Sequence, residues 1–337
     1  MASQLYEFVH AQLRELPMAA TPETCAGRAF IVTGANSGIG FETAKHLVRL
    51  QASKVILAVR STKAGERAKA DIEGTVFAAS GKKGVVVEVW PLNLGSYASV
   101  RAFARRAVAS LERIDGLVEN AAIALDRWTA AEGNETSVTV NVFSNMLLAG
   151  LLLPKMAHTA RTFDTVPHLV FVTSSLAFAQ RAQLEKLGGR GMWDRLRDER
   201  VGLGNRYAMT KLLNLYAAIH FATLFPASRT GVVVNFANPG LCKTGLVRYC
   251  SLKARIQVEA LCALLGRTSE MGSRAVLYAL VGGESSHGQY LSDCENKNGQ
   301  VPSWMTDVEG ERMQKYIWDG IAEMLDMVEP GLFNQML

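Results

Sequence analysis

One stretch of this chain leaves little freedom in how it folds. The apolar run Ala29-Phe30-Ile31-Val32 enters Thr33-Gly34-Ala35-Asn36-Ser37-Gly38-Ile39-Gly40, and Phe41 to Leu50 then continues with helical spacing. A strand, a turn with glycines at 34, 38 and 40, and a helix in immediate succession form a cradle for phosphate. Backbone N–H groups and the positive end of the helix point into the turn, and the missing side chains let a pyrophosphate approach closely. An ordinary strand-to-helix turn is the plainer reading, but it does not require so many glycines.

The rest of the chain repeats the alternation. Further apolar runs stand at Lys54–Val59, Val85–Val89 (after a Gly/Lys-rich break at Ser80–Gly84), Ile114–Val118, Leu169–Val172, Val232–Phe236 and Gly288–Leu291. Helical spacing marks Ser96–Leu111, Asn134–His158, Tyr207–Phe225, Lys253–Leu265, Glu270–Leu280 and Glu309–Met327. Strands without apolar/polar alternation are buried on both faces, and strands alternating with helices build parallel β-α-β units. The expectation is therefore an α/β fold: a single doubly wound Rossmann-type domain with a parallel sheet of about seven strands and helices on both faces. The domain is expected over 27–295, between an amino-terminal helical extension (1–26) and a carboxyl-terminal one (296–337). A polar, glycine-bearing insertion falls at 178–206, and a substrate loop with helices at 241–282. Ligands of such sheets lie outside the carboxyl ends of the strands.

Composition limits the function. The 337 residues are 49% hydrophobic with a net charge of only +5, so a substantial core is available and an electrostatic footprint for nucleic acid is not. Five cysteines without a C-x-x-C, and six scattered histidines, exclude a zinc site or disulfide framework and favour a reducing, cytoplasmic location. No metal is expected. Met1–Pro17 reads as an amphipathic helix (Leu5, Phe8, Val9, Leu13, Leu16) without the basic start of a signal peptide, leaving membrane contact by this helix open. The apolar stretch Met146–Leu153 is too short to span a bilayer, so no transmembrane segment is expected.

The strand ends carry the chemistry. Tyr207 and Lys211, one helical turn apart in Asn205-Arg206-Tyr207-Ala208-Met209-Thr210-Lys211, project from one face, where the cation is expected to lower the phenol's pKa. After the second strand comes Arg60, where NAD binders place an acid for the ribose; a guanidinium there pairs with a 2′-phosphate and points to NADP(H), with Lys63 adding charge. A solvated surface arginine is the alternative. Ser175 ends the fifth strand without a G-x-S-x-G elbow, so it suits a hydrogen bond to a substrate carbonyl, or a plain helix cap, better than a hydrolase nucleophile. Asn141 stands inside a helix that it disfavours, either as a tolerated polar residue or as an irregularity holding a water.

Taken in order, TGANSGIG (33–40), the strand-end Asn120-Ala121-Ala122, Asn141, Ser174-Ser175, YAMTK (207–211) and Asn238-Pro239-Gly240 resemble the short-chain dehydrogenase/reductase superfamily over roughly 27–291. Gly288-Gln289-Tyr290-Leu291 and the helix bearing Trp318 are similar to its retinol-dehydrogenase-like branch, and the whole resembles fungal short-chain enzymes of secondary metabolism. The resemblance implies Tyr207 as acid/base, Lys211 on the ribose hydroxyls, Ser175 polarising the substrate, and Asn141 completing a proton relay through water. It implies a cofactor site lined by Gly34, Ser37, Gly38, Ile39, Gly40, Arg60, Lys63, Asn93, Leu94, Asn120, Ala121, Tyr207, Lys211, Pro239, Gly240 and Thr244. Asn93 replaces the family's usual Asp, and Ala122 the usual Gly. The implied activity is reversible NADP(H)-dependent hydride transfer to a hydrophobic carbonyl or from its alcohol. A non-catalytic NADP(H)-binding sensor is the competing class, and a dehydratase or epimerase a third. In this superfamily the 134–158 and 207 helices commonly form a homodimer face, which the amino- and carboxyl-terminal extensions of this chain could cover.

Overall fold

The computed structural model describes residues 2–80, 84–188, 191–202 and 205–334. Residues 81–83 of the Gly/Lys-rich break, and 189, 190, 203 and 204 of the insertion, lie outside the described residues.

The sheet is built from β1 (Ala29–Thr33), β2 (Lys54–Val59), β3 (Val86–Pro91), β4 (Gly116–Glu119), β5 (His168–Val172), β6 (Val233–Asn238), β7 (Tyr290–Ser292) and β8 (Glu295–Asn296). Its order is β8-β7-β6-β5-β4-β1-β2-β3. The first seven strands run parallel, with registers such as Ile31↔Ile56, Ile31↔Leu117 and Glu119↔Phe171. Every residue of β1, β4, β5 and β6 is buried, as runs without polar alternation require. The winding reverses between β1 and β4, which opens a crevice at their carboxyl ends.

Eight strands stand where about seven were expected. The extra one, β8, pairs antiparallel with β7 through a reversal at Asp293-Cys294, both with positive φ (56° and 58°). A two-residue hairpin of this kind normally announces itself by Asn-Gly or Asp-Gly; Asp-Cys gives no such signal.

One face is covered by α2 (Gly38–Arg49), α3 (Thr62–Ser80) and α8 (Ser269–Leu280), whose Ala44, Leu47, Ile72 and Val276 pack on Phe30, Val32 and Val55. The other carries α4 (Tyr97–Ser110), α5 (Ser144–Phe163) and α6 (Arg206–Leu224) over Ile31, Leu117 and Phe171. The region 134–158 is not one continuous helix. Asn134–Glu135 pairs with Ala130–Ala131 as a small hairpin, and Glu135 then caps the helix by accepting Val138 N–H at 3.0 Å. A π-turn at Thr139–Phe143 precedes α5. The stretch Thr136–Phe163 is long and apolar enough to cross a membrane, yet 89% of its most apolar window is buried in the protein: it is a core helix.

Two segments wrap this sandwich. Helix α1 (Ala2–Leu13) lies on α7 (Leu252–Leu265), and α9 (Val308–Val328) lies on α6. The apolar edge of α9 (Ile317, Trp318, Ile321, Leu325) and the following Leu332 and Phe333 enter the same core as α5 and α6. A Cβ on Gly150 of α5 would stand 3.0 Å from Phe333 and 3.1 Å from Leu332, close enough that these side chains would have to give by a few tenths of an ångström. The chain's own carboxyl terminus thus packs on α5 and α6.

Candidate active site

The glycine turn is braced from β4. Gly34 and Gly38 adopt left-handed φ (68° and 62°), and Thr33 Oγ1 accepts the N–H groups of Asn120 and Ala121 at 3.0 and 2.9 Å while donating to Val118 O. Asn120 Nδ2 donates to Thr33 O at 2.8 Å. The same amide fills the space where a Gly40 Cβ would stand (2.5 Å), so Gly40 is dictated by Asn120 as much as by a ligand. Asn120 is therefore spent on shaping the turn.

Around the crevice, Arg60 and Lys63 are exposed at the end of β2 and the start of α3. Arg60 Nη2 donates to Tyr249 OH at 2.6 Å, its guanidinium 5.6 Å from the ring centre; Arg248 lies 5.1 Å from the same ring. A hydrogen bond from Arg248, and then the bond and charge of Arg60, pull the Tyr249 phenol below its ordinary pKa. Asn93 accepts Gly95 N–H at 3.1 Å, while Leu94 is buried in the core and its carbonyl accepts Ser144 Oγ at 2.6 Å. The Leu94 side chain does not reach the crevice.

From β6 a strap crosses the opening. Pro239 O accepts Arg267 Nη1 at 3.2 Å, and Gly240 (φ 77°) faces the Gln12 side chain, where a Cβ would stand 2.5 Å from Gln12 Oε1. Gln12 donates to Leu241 O and Leu265 O at 2.9 and 3.0 Å and accepts Leu241 N–H at 3.1 Å. Buried Arg267 also bonds Ala11 O and Asp293 (2.6 Å to the latter). Farther on, Thr244 reaches the glycine turn, its Cγ2 3.5 Å from the position of a Gly38 Cβ. Tyr249 lands on Arg60, Cys250 donates to Ala124 O at 3.4 Å, and Ser251 N–H donates to Asp126 at 2.5 Å. One loop therefore touches the ends of β1, β2 and β4.

Tyr207 and Lys211 stand at the start of α6, with the Lys211 ammonium 5.7 Å from the Tyr207 ring centre. Lys211 Nζ donates to Val172 O at 2.6 Å, and its pKa is pushed down to about 8 by burial, against the opposing pull of Glu119. The Tyr207 phenol is raised, by burial first and by neighbouring Cys242 second. The expected lowering by Lys211 is absent, because the ammonium is turned toward the β5 backbone. Ser175 is exposed and opens a 3₁₀ turn (Ser175–Ala179) that packs on α6, while Ser174 caps that turn by accepting Leu176 N–H at 3.3 Å.

Asn141 lies within the π-turn, where an irregularity was expected. Its side chain clamps Ile123, accepting from N and donating to O at 2.9 Å each, and bonds Thr210 at 2.9 Å. Its carbonyl accepts Asn214 Nδ2 at 2.9 Å and Asn145 Nδ2 at 3.3 Å, so amides hold both of its lone pairs.

The family model for short chain dehydrogenases matches residues 28–186. Short chain dehydrogenase/reductase dmxR8 of Cryptosporiopsis is 40% identical over 311 residues, covering 91% of this chain and 93% of that protein. The chain is a short-chain dehydrogenase. Short chain dehydrogenase atnD of Emericella nidulans is 38% identical over 300 residues, covering 86% and 91% of the two chains. The resemblance to fungal members of the family therefore holds for this short-chain dehydrogenase. Among solved structures, its fold matches L-sorbose reductase from Gluconobacter frateurii, complexed with NADPH and L-sorbose, at a TM-score of 0.57 and 19% identity, over 80% of this chain and 95% of that one. A Shigella flexneri short chain dehydrogenase complexed with NADP matches at 0.57 and 20%, over 82% and 100%.

Three residues near this crevice escaped the sequence reading. Arg248 and Tyr249 lie in a loop without a motif. Glu119, immediately before Asn120, is 1% exposed with neither carboxyl oxygen partnered, and burial pushes its pKa well above the usual carboxylate range. The signal was present: a single acid closing the buried run Gly116-Leu117-Val118.

Proposed function

We propose that the protein is an NADP(H)-dependent alcohol dehydrogenase/ketoreductase acting on a hydrophobic substrate, with Tyr207 as acid/base. The observation carrying this reading is the convergence, at the carboxyl end of one sheet, of a glycine-rich turn suited to a pyrophosphate with a phenol–ammonium pair. The cradle at Gly34, Gly38 and Gly40 fits a dinucleotide, as does the backbone around Ser37, Ile39 and Ala121. Arg60, exposed and keeping further N–H donors beside its bond to Tyr249, and exposed Lys63 would meet a 2′-phosphate, which favours NADP(H), and Arg248 adds a third cation beside them. When bound, the dinucleotide supplies or accepts the hydride.

The chain's own residues do the remaining work. The Tyr207 phenol, kept protonated by burial, holds the proton that a substrate oxygen takes up on reduction. Ser175 donates a second hydrogen bond to that oxygen as charge develops on it. Lys211, one turn away, offers an ammonium for ribose hydroxyls and for the phenolate left behind. Asn141 fixes the Ile123 loop and Thr210 beside these groups. Pro239, Gly240 and Thr244 close over the nicotinamide side, and Asn93 and the Leu94 backbone border the adenine.

The proposed catalytic domain is 27–295, with 178–206 and 241–282 facing the substrate and 1–26 and 296–337 fastening them. Exposed Leu252, Ile256 and Leu264 on 241–282, with exposed Leu176 just before 178–206, support an apolar substrate, such as a secondary metabolite carbonyl, met in the cytoplasm. The test is NADPH consumption against a carbonyl library, with Arg60→Ala compared for NADPH and NADH. Equal losses for both cofactors would remove the 2′-phosphate assignment, and tight NADPH binding without turnover of any carbonyl would leave a sensor instead of an enzyme.

A further inference from the structure

The contact between Arg60 and Tyr249 joins segments 189 residues apart, and more is gathered there than one hydrogen bond. Arg60 follows β2, Lys63 lies in the first turn of α3, and Arg248 and Tyr249 come from the far end of the strap that leaves β6. All four are exposed. The two guanidinium groups flank one ring, at 5.6 and 5.1 Å from its centre. Arg60 gives a bond to the phenol oxygen at 2.6 Å, and Arg248 gives one to Gly245 O at 3.0 Å. Among the described residues, none of the three cations is paired with a carboxylate. Asp126, which the strap also meets, accepts the Ser251 N–H at the start of α7.

Cations gathered without a counter-charge repel one another, and an anion among them relieves that repulsion. Each guanidinium has five N–H donors, so most of them remain available. The Tyr249 oxygen accepts from Arg60, which leaves its own hydrogen to donate, and no acceptor among the described residues takes it. Convergent donors of this kind suit a phosphate, whose terminal oxygens take several charge-assisted bonds at once. The glycine turn is close by: Thr244 of the same strap reaches to 3.5 Å from the position of a Gly38 Cβ. A dinucleotide seated on that turn brings its adenine ribose to the end of β2.

We infer that Arg248 and Tyr249 are ligands of the cofactor's 2′-phosphate, contributed by the substrate loop, so that a 2′-phosphorylated dinucleotide fastens this loop across the crevice and an unphosphorylated one leaves it loose. The inference rests on the reading of Arg60 as the 2′-phosphate residue. It makes cofactor choice and substrate binding one event. The near end of the strap is anchored whichever cofactor is present, by Gln12 on Leu241 and Arg267 on Pro239. Its far end is held by Cys250 on Ala124 O, Ser251 on Asp126 and Tyr249 on Arg60. Of these three, the last is the one where both banks present spare donors to a phosphate.

The experiment measures binding of adenosine 2′,5′-bisphosphate and adenosine 5′-monophosphate by calorimetry, and tryptic cleavage after Lys243 and Arg248, both exposed on the strap, with each nucleotide bound. It compares wild type, Tyr249→Phe, Arg248→Gln and Arg60→Ala. Wild type should prefer the bisphosphate, and Arg60→Ala should lose most of that preference. Tyr249→Phe should weaken the bisphosphate by about 3- to 10-fold and Arg248→Gln by about 10-fold, with the monophosphate unchanged. The bisphosphate should slow cleavage in wild type but not in Tyr249→Phe, and the monophosphate in neither. With a carbonyl that the library yields, KM should be lower beside NADPH than beside NADH, and Tyr249→Phe should shrink that difference. Bisphosphate affinity unchanged in both strap variants, an equal loss for both nucleotides, or cleavage slowed equally by the two overturns the inference and leaves Arg60 on the 2′-phosphate. Wild type that does not distinguish the nucleotides removes the 2′-phosphate reading itself, and Arg248 and Tyr249 with it. Wild type that binds the bisphosphate as expected but reduces no carbonyl removes the enzymatic reading alone.

Discussion

The two banks of the crevice are held in opposite ways. On the cofactor bank, the turn after β1 is braced by Thr33 and Asn120, neighbours across a single strand pair. On the substrate bank, the strap after β6 is tied to Gln12 and Ala11 at the amino terminus, to Arg267 and Asp293 beyond, and across the opening to Arg60 and Asp126. The first is a property of a βαβ unit and comes with the fold. The second depends on chain segments hundreds of residues away, and so is free to differ while the fold stays the same.

The largest expected effect separates chemistry from binding. Tyr207→Phe should cut turnover by about 10³-fold, within the range for a positioned general acid, while NADPH affinity measured by titration stays near wild type. A matching loss of affinity would mean the banks are not separable there. Next, Ile321→Ala on α9, fully buried between α6 and the carboxyl terminus, should cost about 2–5 kcal/mol of stability. Denaturant unfolding should show one transition moved to lower midpoint; an early, separate transition would show that the wrapping segment is not part of the core. Third, Arg60→Ala should weaken NADPH by roughly 10- to 100-fold, as loss of a charge-assisted pair does, and NADH little. Because Arg60 also holds Tyr249, a loss in carbonyl KM measured alongside would show that the two banks communicate through that contact. Smallest, Gln12→Ala removes three hydrogen bonds to the strap and its neighbour, a change of about 1–2 kcal/mol. It should raise carbonyl KM several-fold and leave NADPH affinity alone; the reverse pattern would put the strap on the cofactor side.

Legibility followed the same division. The β1 turn, Arg60, Asn120 and the Tyr207/Lys211 pair could be read because strand-to-helix spacing and one-turn helix spacing are local, and residue type then names the chemistry. The hairpin at Asp293-Cys294 and the opening hairpin and cap of 134–158 went unread, and the π-turn was read only as one of two options at Asn141, since hydrophobic periodicity at 134–158 is the same with or without one extra residue in a helical turn. The Tyr207 phenol was expected to fall and instead rises, because four-residue spacing fixes which face Lys211 shares but not where its long side chain finds an acceptor.

What the sequence by itself determined is the fold, the place of the crevice and the kinds of groups around it, all consequences of short-range patterning. What only tertiary structure decided is which of those groups are paired. Lys211 meets Val172, Gln12 meets Leu241, Arg60 meets Tyr249, and the carboxyl terminus packs on α5 and α6. Such pairings join residues distant in the chain, and burial sets the charge state of the deepest of them, which no local pattern records.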